Sequence, residues 1–151
     1  MKRAEGYLAA INRVGIVKEY FGKNLIKDMK IKSCEIREKT GTILVEIPLG
    51  PQMLNVLGSL HGGAIATLID QITTIAIALF DDRNSVSTDL SISFISPISG
   101  GNKTIDVEAV CHKSGKNIAF SSAEIRTNGR LIAKGQHTKC LLSSKWIDYK
   151  L

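Results

Sequence analysis

The sequence predicts an α+β fold in which an antiparallel sheet wraps around one long central helix, with a short helix near the amino terminus. Two observations lead to this fold class. A single long apolar segment, residues 61–80, has the length and composition of a helix buried on nearly all sides. After it, residues 85–142 alternate between apolar and polar side chains, with glycine-containing turns between the runs. One buried helix beside several strands indicates a two-layer domain.

Three elements are predicted before the central helix. Residues 4–20 carry apolar side chains at helical spacing, which predicts a short amphipathic helix. Residues 29–48 then become strand-like, and a Lys-Thr-Gly turn at 39–41 divides them into a β-hairpin. Residues 49–59 contain glycines and a proline, so we expect a loop there.

Four strands are predicted after the helix, in meander order. The first, SVSTDLSISFI, alternates strictly, and three others are expected at about 104–112, 117–127 and 131–142. Asn128-Gly129 between the last two is typical of a type I′ hairpin turn. The alternation in the first strand predicts one face with Val86, Thr88, Leu90, Ile92 and Phe94, and another with Ser87, Asp89, Ser91 and Ser93.

The composition is typical of a globular domain. A length of 151 residues predicts one domain over residues 1–151. The three cysteines, Cys34, Cys111 and Cys140, form no CxxC pair and no metal-ligand pattern. We therefore expect reduced thiols in a cytoplasmic protein, with a basic mitochondrial presequence as the alternative, and no metal site.

The net charge of +6 is compatible with an anionic partner or with a lysine-rich surface that serves solubility. A nucleic-acid-binding module requires a basic stripe with stacking aromatic residues, whereas aromatic residues make up 5% of this chain and are scattered. Membrane insertion is also unfavourable, because Asp70 and Gln71 interrupt the only long apolar segment. We therefore expect neither nucleic-acid binding nor membrane insertion.

Asp70 is the first candidate for chemistry. It is the only formal charge in the central segment if His61 is neutral, and burial of an ionised carboxylate is costly unless the group is paired or functional. The alternative is a structural aspartate that is hydrogen-bonded to a neighbouring backbone group or threonine.

The start of the central helix, His61-Gly62-Gly63, is the second candidate. Glycines at a helix amino terminus let a ligand approach the free N–H groups, as in an oxyanion site, and Ser59 is a possible helix cap. The alternatives are a flexible joint and a core histidine. Asp70 lies nine positions after His61, which places them ~13 Å apart along the axis and on opposite sides of the helix. If both act in catalysis, each site must therefore combine two protomers, and a twofold dimer would form two such sites.

Several motifs in order resemble the PaaI-type hot-dog thioesterases. In the first motif, Asn55 is followed by five residues and then by HGGAIATLID, which begins at His61. The later motifs are VSTDLSISFISP, GKNIAFSSAEI and GRLIAKGQHTK. The resemblance covers most of the chain and is clearest over residues 50–142. It implies a hot-dog fold and self-association as a homodimer or as a homotetramer built as a dimer of dimers.

The resemblance also implies an activity, which is hydrolysis of a medium- to long-chain fatty acyl-coenzyme A to free acid and coenzyme A, without a metal or redox cofactor. In the family pattern the Gly62 N–H polarises the thioester carbonyl, and Asp70 of the facing protomer acts as general base or nucleophile. Asn55 would orient the water and the histidine loop, Ser87 would lie beside the carboxylate, and His61 would shape the loop.

The same resemblance implies the residues that contact the substrate. A glycine-containing turn flanked by lysines is both a good hairpin turn and a good phosphate cradle. The implied substrate-binding residues are Ser87, Asp89, Phe94, Lys113, Ser114, Gly115, Lys116, Asn117 and Ile118.

Two other functions are compatible with parts of this pattern. A non-catalytic acyl-coenzyme A-binding hot-dog protein would use the same pocket, but the presence of Asn55, Gly62 and Asp70 together favours an enzyme. A hot-dog dehydratase would need a glutamate on the helix, and none lies between His61 and Phe80.

Overall fold

A computed structural model of the chain describes residues 2, 4–6, 20–37, 40–79, 81–101 and 103–145. The elements in chain order are helix α1 (Lys23–Ile26), strands β1 (Lys30–Arg37) and β2 (Thr40–Pro48), a 3-10 turn (Pro51–Met53), helix α2 (Gly62–Ala78), and strands β3 (Arg83–Phe94), β4 (Thr104–Ser114), β5 (Ile118–Thr127) and β6 (Arg130–Lys145). The predicted fold class is confirmed. In the predicted amphipathic helix, residues 4–6 are helical, and residues 7–19 lie outside the described residues.

The six strands form one antiparallel sheet in the order β1-β2-β4-β5-β6-β3. The β1-β2 hairpin is confirmed, and β4, β5 and β6 follow one another as a meander. The prediction of a meander that includes β3 is wrong, because β3 pairs with β6 at the edge and β4 pairs with β2. Alternation of side chains shows which residues share a face of a strand, but it does not indicate which strand lies alongside.

Helix α2 packs across the sheet and contacts β4 and β5 most extensively. It is rich in isoleucine and threonine, which are weak helix formers, so its stability comes from burial rather than from propensity. Gly135 of β6 permits the close approach, since a Cβ there would lie 3.0 Å from Ile69 Cγ2 of the helix. The large, fully buried helix side chains are Leu68, Ile69, Ile72, Ile75 and Ile77.

The helix is less enclosed than the sequence predicts. A stripe that includes Ala66, Asp70 and Thr74 stays partly exposed, because these residues repeat at intervals of four on one side. Ser59 does not cap the helix. The cap is His61, whose Nδ1 accepts a hydrogen bond of 2.8 Å from the Gly63 N–H. No helix among the described residues is long and apolar enough to cross a membrane.

A β-bulge in β3 overturns the predicted division of its faces. Ser87 pairs with Lys139, the register then shifts, and Leu90 pairs with His137. Because directly opposed residues share a face, Ser87 lies on the same helix-facing side as Leu90. The turn at Asn128-Gly129 is confirmed as the I′ type by positive φ angles of 47° and 78° at its two central residues.

Candidate active site

Asp70 lies at the middle of α2, and its carboxylate faces the strands β3 and β6. Its side chain is 42% exposed, so it is not the fully buried charge that the sequence predicts. Oδ1 lies 3.3 Å from Lys139 Nζ, 3.3 Å from Ser87 Oγ and 3.5 Å from His137 Nε2. Within the described part of the chain these side-chain contacts all fall on Oδ1, which leaves Oδ2 available to a substrate or a water molecule. We call Asp70, Thr73, Ser87, His137 and Lys139 the Asp70 cluster.

Among the described residues, the Asp70 carboxylate is not hydrogen-bonded to a neighbouring backbone group or threonine, which is the arrangement expected of the structural alternative. Thr74 Oγ1 donates to the backbone carbonyl of Asp70 at 2.7 Å, and Thr73 Oγ1 lies 3.0 Å from the same carbonyl, so neither hydroxyl contacts the carboxylate. The carboxylate instead contacts side chains from two strands. It also lines a small groove of about 180 Å³ beside α2, together with Tyr20 and Lys139.

His137 is fully buried beneath the carboxylate. Burial, and then the Lys139 charge, lower the pKa of His137 to about 4, so the ring is neutral at neutral pH. Thr73 Oγ1 lies 2.6 Å from the Ile69 carbonyl and must donate its proton there, because two oxygens at that distance would otherwise repel. Thr73 therefore accepts from His137 Nδ1–H at 2.7 Å, and His137 Nε2 accepts from Ser87 Oγ at 2.9 Å.

Lys139 is therefore the donor to the Asp70 carboxylate. Since the Ser87 proton is directed to His137, the Lys139 ammonium supplies hydrogen bonds both to Asp70 Oδ1 and to Ser87 Oγ, each at 3.3 Å. Lys139 is buried, and this desolvation lowers its pKa, while the Asp70 charge opposes the change. The cluster thus holds a carboxylate and an ammonium at the edge of the core.

Thr73, His137 and Lys139 join the site although they are not among the residues predicted from the sequence. One feature of the sequence could have revealed the last two, since they occupy alternate positions of β6 on the side that carries Ala133, Gly135 and Leu141. The other side chains on this helix-facing side of β6 are small or apolar. Two polar side chains buried among them need a hydrogen-bonding partner. That partner, Asp70, is more than sixty residues away along the chain.

The other predicted catalytic residues lie at the amino terminus of α2. The Gly62 N–H donates to no described residue, and the Phe94 ring lies 3.4 Å from where a Gly62 Cβ would be. Asn55 shapes the preceding loop, because its Oδ1 accepts from the N–H groups of Leu57 at 2.9 Å and Ser59 at 3.0 Å. This end of the helix presents a free donor beside an aromatic side chain.

The structure does not bring Gly62 and Asp70 together in one protomer. Asp70 lies eight positions after Gly62 in one continuous helix, which is ~12 Å along the axis. Asp89 is exposed after the bulge, Lys113 is exposed near the end of β4, and Lys116 is exposed on the β4-β5 turn. No group of three histidine, cysteine or acidic side chains suited to a metal ion occurs within the described ranges.

One long helix packed against a six-stranded antiparallel sheet, with a carboxylate on the helix, defines the hot-dog architecture. The crystal structure of zebrafish thioesterase superfamily member 2 superposes on this chain with a TM-score of 0.73, and the two sequences are 28% identical. The match covers 92% of this chain and 95% of the zebrafish chain. The crystal structure of mouse thioesterase superfamily member 2 also superposes with a TM-score of 0.73 and is 28% identical in sequence. That match covers 93% of this chain and 97% of the mouse chain.

Sequence comparison agrees with the fold. The chain is 40% identical over 103 residues to mouse acyl-coenzyme A thioesterase 13, an alignment that covers 66% of this chain and 72% of the relative. The family model of the thioesterase superfamily matches residues 57–133. The chain belongs to the thioesterase superfamily, and the resemblance to hot-dog thioesterases is confirmed.

Proposed function

We propose that this thioesterase hydrolyses medium- to long-chain fatty acyl-coenzyme A, with Asp70 as the catalytic carboxylate. The observation that carries the proposal is the Asp70 cluster, in which Lys139 donates to one oxygen of a carboxylate on the accessible side of a largely apolar helix. The mouse relative, named as an acyl-coenzyme A thioesterase, supports the substrate class.

The chemistry assigned to Asp70 requires a carboxylate oxygen that is free to react. As general base, Oδ2 takes a proton from water while the water oxygen attacks the thioester carbon. As nucleophile, Oδ2 attacks that carbon itself, and water then hydrolyses the resulting anhydride. In both routes the C–S bond breaks, the coenzyme A thiolate leaves and is protonated, and negative charge develops on the carbonyl oxygen.

The Gly62 N–H is suited to stabilising that oxyanion. It is unpaired among the described residues, and it lies at the positive end of the α2 dipole. Because it is ~12 Å from Asp70 in the same chain, the proposal requires Gly62 of one protomer and Asp70 of another. Each twofold dimer would contain two such composite sites.

Strand β3 is the surface that we assign to this dimer. It lies at the edge of the sheet, and Leu90 and Phe94 are exposed on its helix-facing side, with 60% of Phe94 accessible. An unpaired edge strand with exposed apolar residues favours association with another strand. Pairing of two β3 strands would bring the start of one α2 towards the other protomer.

Release of thiol from a panel of acyl-coenzyme A substrates by the purified protein tests the activity. Asp70→Asn should lower kcat at least ~100-fold and leave the fold intact, because the amide is nearly isosteric with the carboxylate. Asp106→Asn on the outer face of the sheet is the matched control and should keep wild-type turnover. A folded Asp70→Asn protein with normal turnover would overturn the assignment, and binding without thiol release by the wild type would favour a non-catalytic acyl-coenzyme A-binding protein.

A further inference from the structure

Asp81 and Arg83 form a partly buried ion pair between the end of α2 and the start of β3. Arg83 Nε lies 2.9 Å from Asp81 Oδ1, and its Nη2 lies 2.7 Å from Oδ2. Burial raises the pKa of Asp81, but hydrogen bonds from Arg83 and Ser114 outweigh burial and lower it to about 2. The Asp81 side chain is 9% exposed and that of Arg83 is 28% exposed, and the two-point contact gives the pair a defined geometry.

The same guanidinium reaches the β4-β5 turn. Arg83 Nη1 donates to the Lys116 carbonyl at 2.6 Å, and Nη2 donates to the Gly115 carbonyl at 2.9 Å. Ser114 Oγ donates to Asp81 Oδ2 from the other side. The ion pair therefore fixes the turn through both its backbone and a side chain.

The remaining carbonyls of this turn are also bonded inside the protein. The Asn117 carbonyl accepts from the Leu141 N–H at 2.8 Å, and the Ile118 carbonyl accepts from the Gly115 N–H at 2.9 Å. By contrast, the N–H groups of Lys116 and Asn117 donate to no described residue. Every carbonyl from 115 to 118 is thus occupied, while backbone donors stay open beside two exposed lysines. Such a surface attracts anions.

We propose that Asp81 and Arg83 are positioning residues that keep the β4-β5 turn in the conformation that binds the phosphates of coenzyme A. The inference rests on the proposed function for the identity of the anion. Arg83 does not serve chiefly as a phosphate ligand, because its Nε and Nη2 donors are already engaged by Asp81 and Gly115. Without it, the Gly115 and Lys116 carbonyls would be free to turn towards the anion and repel it.

The test compares Arg83→Met with Arg126→Met. Arg126 is a close match, because it also pairs with a carboxylate, Glu124, and bonds a turn carbonyl, that of Gly129, but at the β5-β6 turn. Both variants lose one positive charge. We expect Arg83→Met to weaken calorimetric binding of coenzyme A about tenfold, and Arg126→Met to leave it unchanged.

Measurements of KM and kcat distinguish a role of Arg83 in positioning the turn from a general loss of structure. Arg83→Met should raise KM for an acyl-coenzyme A and leave both kcat and the KM of the corresponding acyl-pantetheine, which lacks the 3′,5′-ADP part, unchanged. Asp81→Asn is a second variant that should act in the same direction and that retains the volume of the side chain.

Unchanged coenzyme A binding in folded Arg83→Met or Asp81→Asn would overturn the inference, as would an equal rise in KM for both substrates. Binding of coenzyme A is measured without turnover. A wild-type protein that binds it and releases no thiol would therefore contradict the proposed function and leave this inference standing.

Discussion

His137 determines how protons are arranged around the candidate carboxylate. The neutral ring donates a hydrogen bond to Thr73 and accepts one from Ser87, which leaves Lys139 as the donor to Asp70. A protonated ring would place a second cation beside Lys139 in the core. Desolvation of a charged ring, and then repulsion from the Lys139 ammonium, lower the pKa of His137.

The lowered pKa of His137 predicts a pH-dependent stability. Between pH 6.5 and about 4 the unfolded chain binds a proton at this histidine and the folded chain does not. The free energy of unfolding should therefore fall by about 3 kcal/mol as pH decreases through this window. Urea unfolding at fixed protein concentration between pH 7 and pH 4.5 measures the slope.

His137→Gln should remove most of this pH dependence, whereas His112→Gln, which alters an exposed histidine bonded to Ser122, should retain it. The window is separate from that of Asp81, whose stabilising contribution is lost only below pH 3.8. A wild-type slope in His137→Gln would show that another group is responsible.

Two elements present the groups that the proposed reaction needs. The bulge in β3 turns Ser87 towards the helix, and without it the predicted alternation would place Ser87 on the outer face of the sheet. Two exposed lysines, Lys113 near the end of β4 and Lys116 on the β4-β5 turn, are close in sequence to the open backbone donors of Lys116 and Asn117. The first element completes the Asp70 cluster, and the second suits the anionic end of the substrate.

The β4-β5 turn gives a prediction about substrate affinity. Replacing Lys113 and Lys116 together by alanine should raise KM for acyl-coenzyme A more than it lowers kcat, and it should weaken the dependence of KM on salt. The comparison substrate is a short acyl-pantetheine that lacks the 3′,5′-ADP part. An equal rise in KM for both substrates would place the phosphate contact elsewhere.

At the scale of the whole molecule, the site that we propose exists only in an assembly. The Gly62 N–H and the Asp70 carboxylate lie on one rigid helix, so folding of a single chain does not bring them together. Mixing two inactive variants tests this arrangement directly.

Gly62→Pro removes the N–H, and His61 is already in the extended conformation that a following proline requires, with ψ of 137°. In a heterodimer of Gly62→Pro and Asp70→Asn, one site contains both defects and the other contains neither. With random exchange, half the dimers are mixed, so activity should return to about a quarter of the wild-type sites.

Gly62→Ala retains the N–H and is the matched control for the proline, with its Cβ at 3.4 Å from the Phe94 ring. It should therefore keep substantially more activity than Gly62→Pro. Folded parents that exchange subunits, as shown by mass spectrometry, and still recover no hydrolysis would refute the shared site.

The sequence by itself determined the local elements of this protein. The length of the apolar segment indicated α2, the period of two indicated the strands, and Asn128-Gly129 indicated its turn, because each pattern follows from backbone geometry within a few residues. Asp70 was also detectable, since a carboxylate within an apolar helix is conspicuous. Ser87 was proposed only through the family resemblance.

Only the tertiary structure decided which distant residues meet. β3 lies beside β6, and the bulge in this pairing turns Ser87 inward. His137 and Lys139 of β6 approach Asp70 of α2. In each case the two segments are separated by dozens of residues. The contact of Arg83 with the β4-β5 turn is of the same kind. Such contacts depend on how the helix packs across the sheet and which strands it leaves at the edge, and no periodicity within a single segment contains that information.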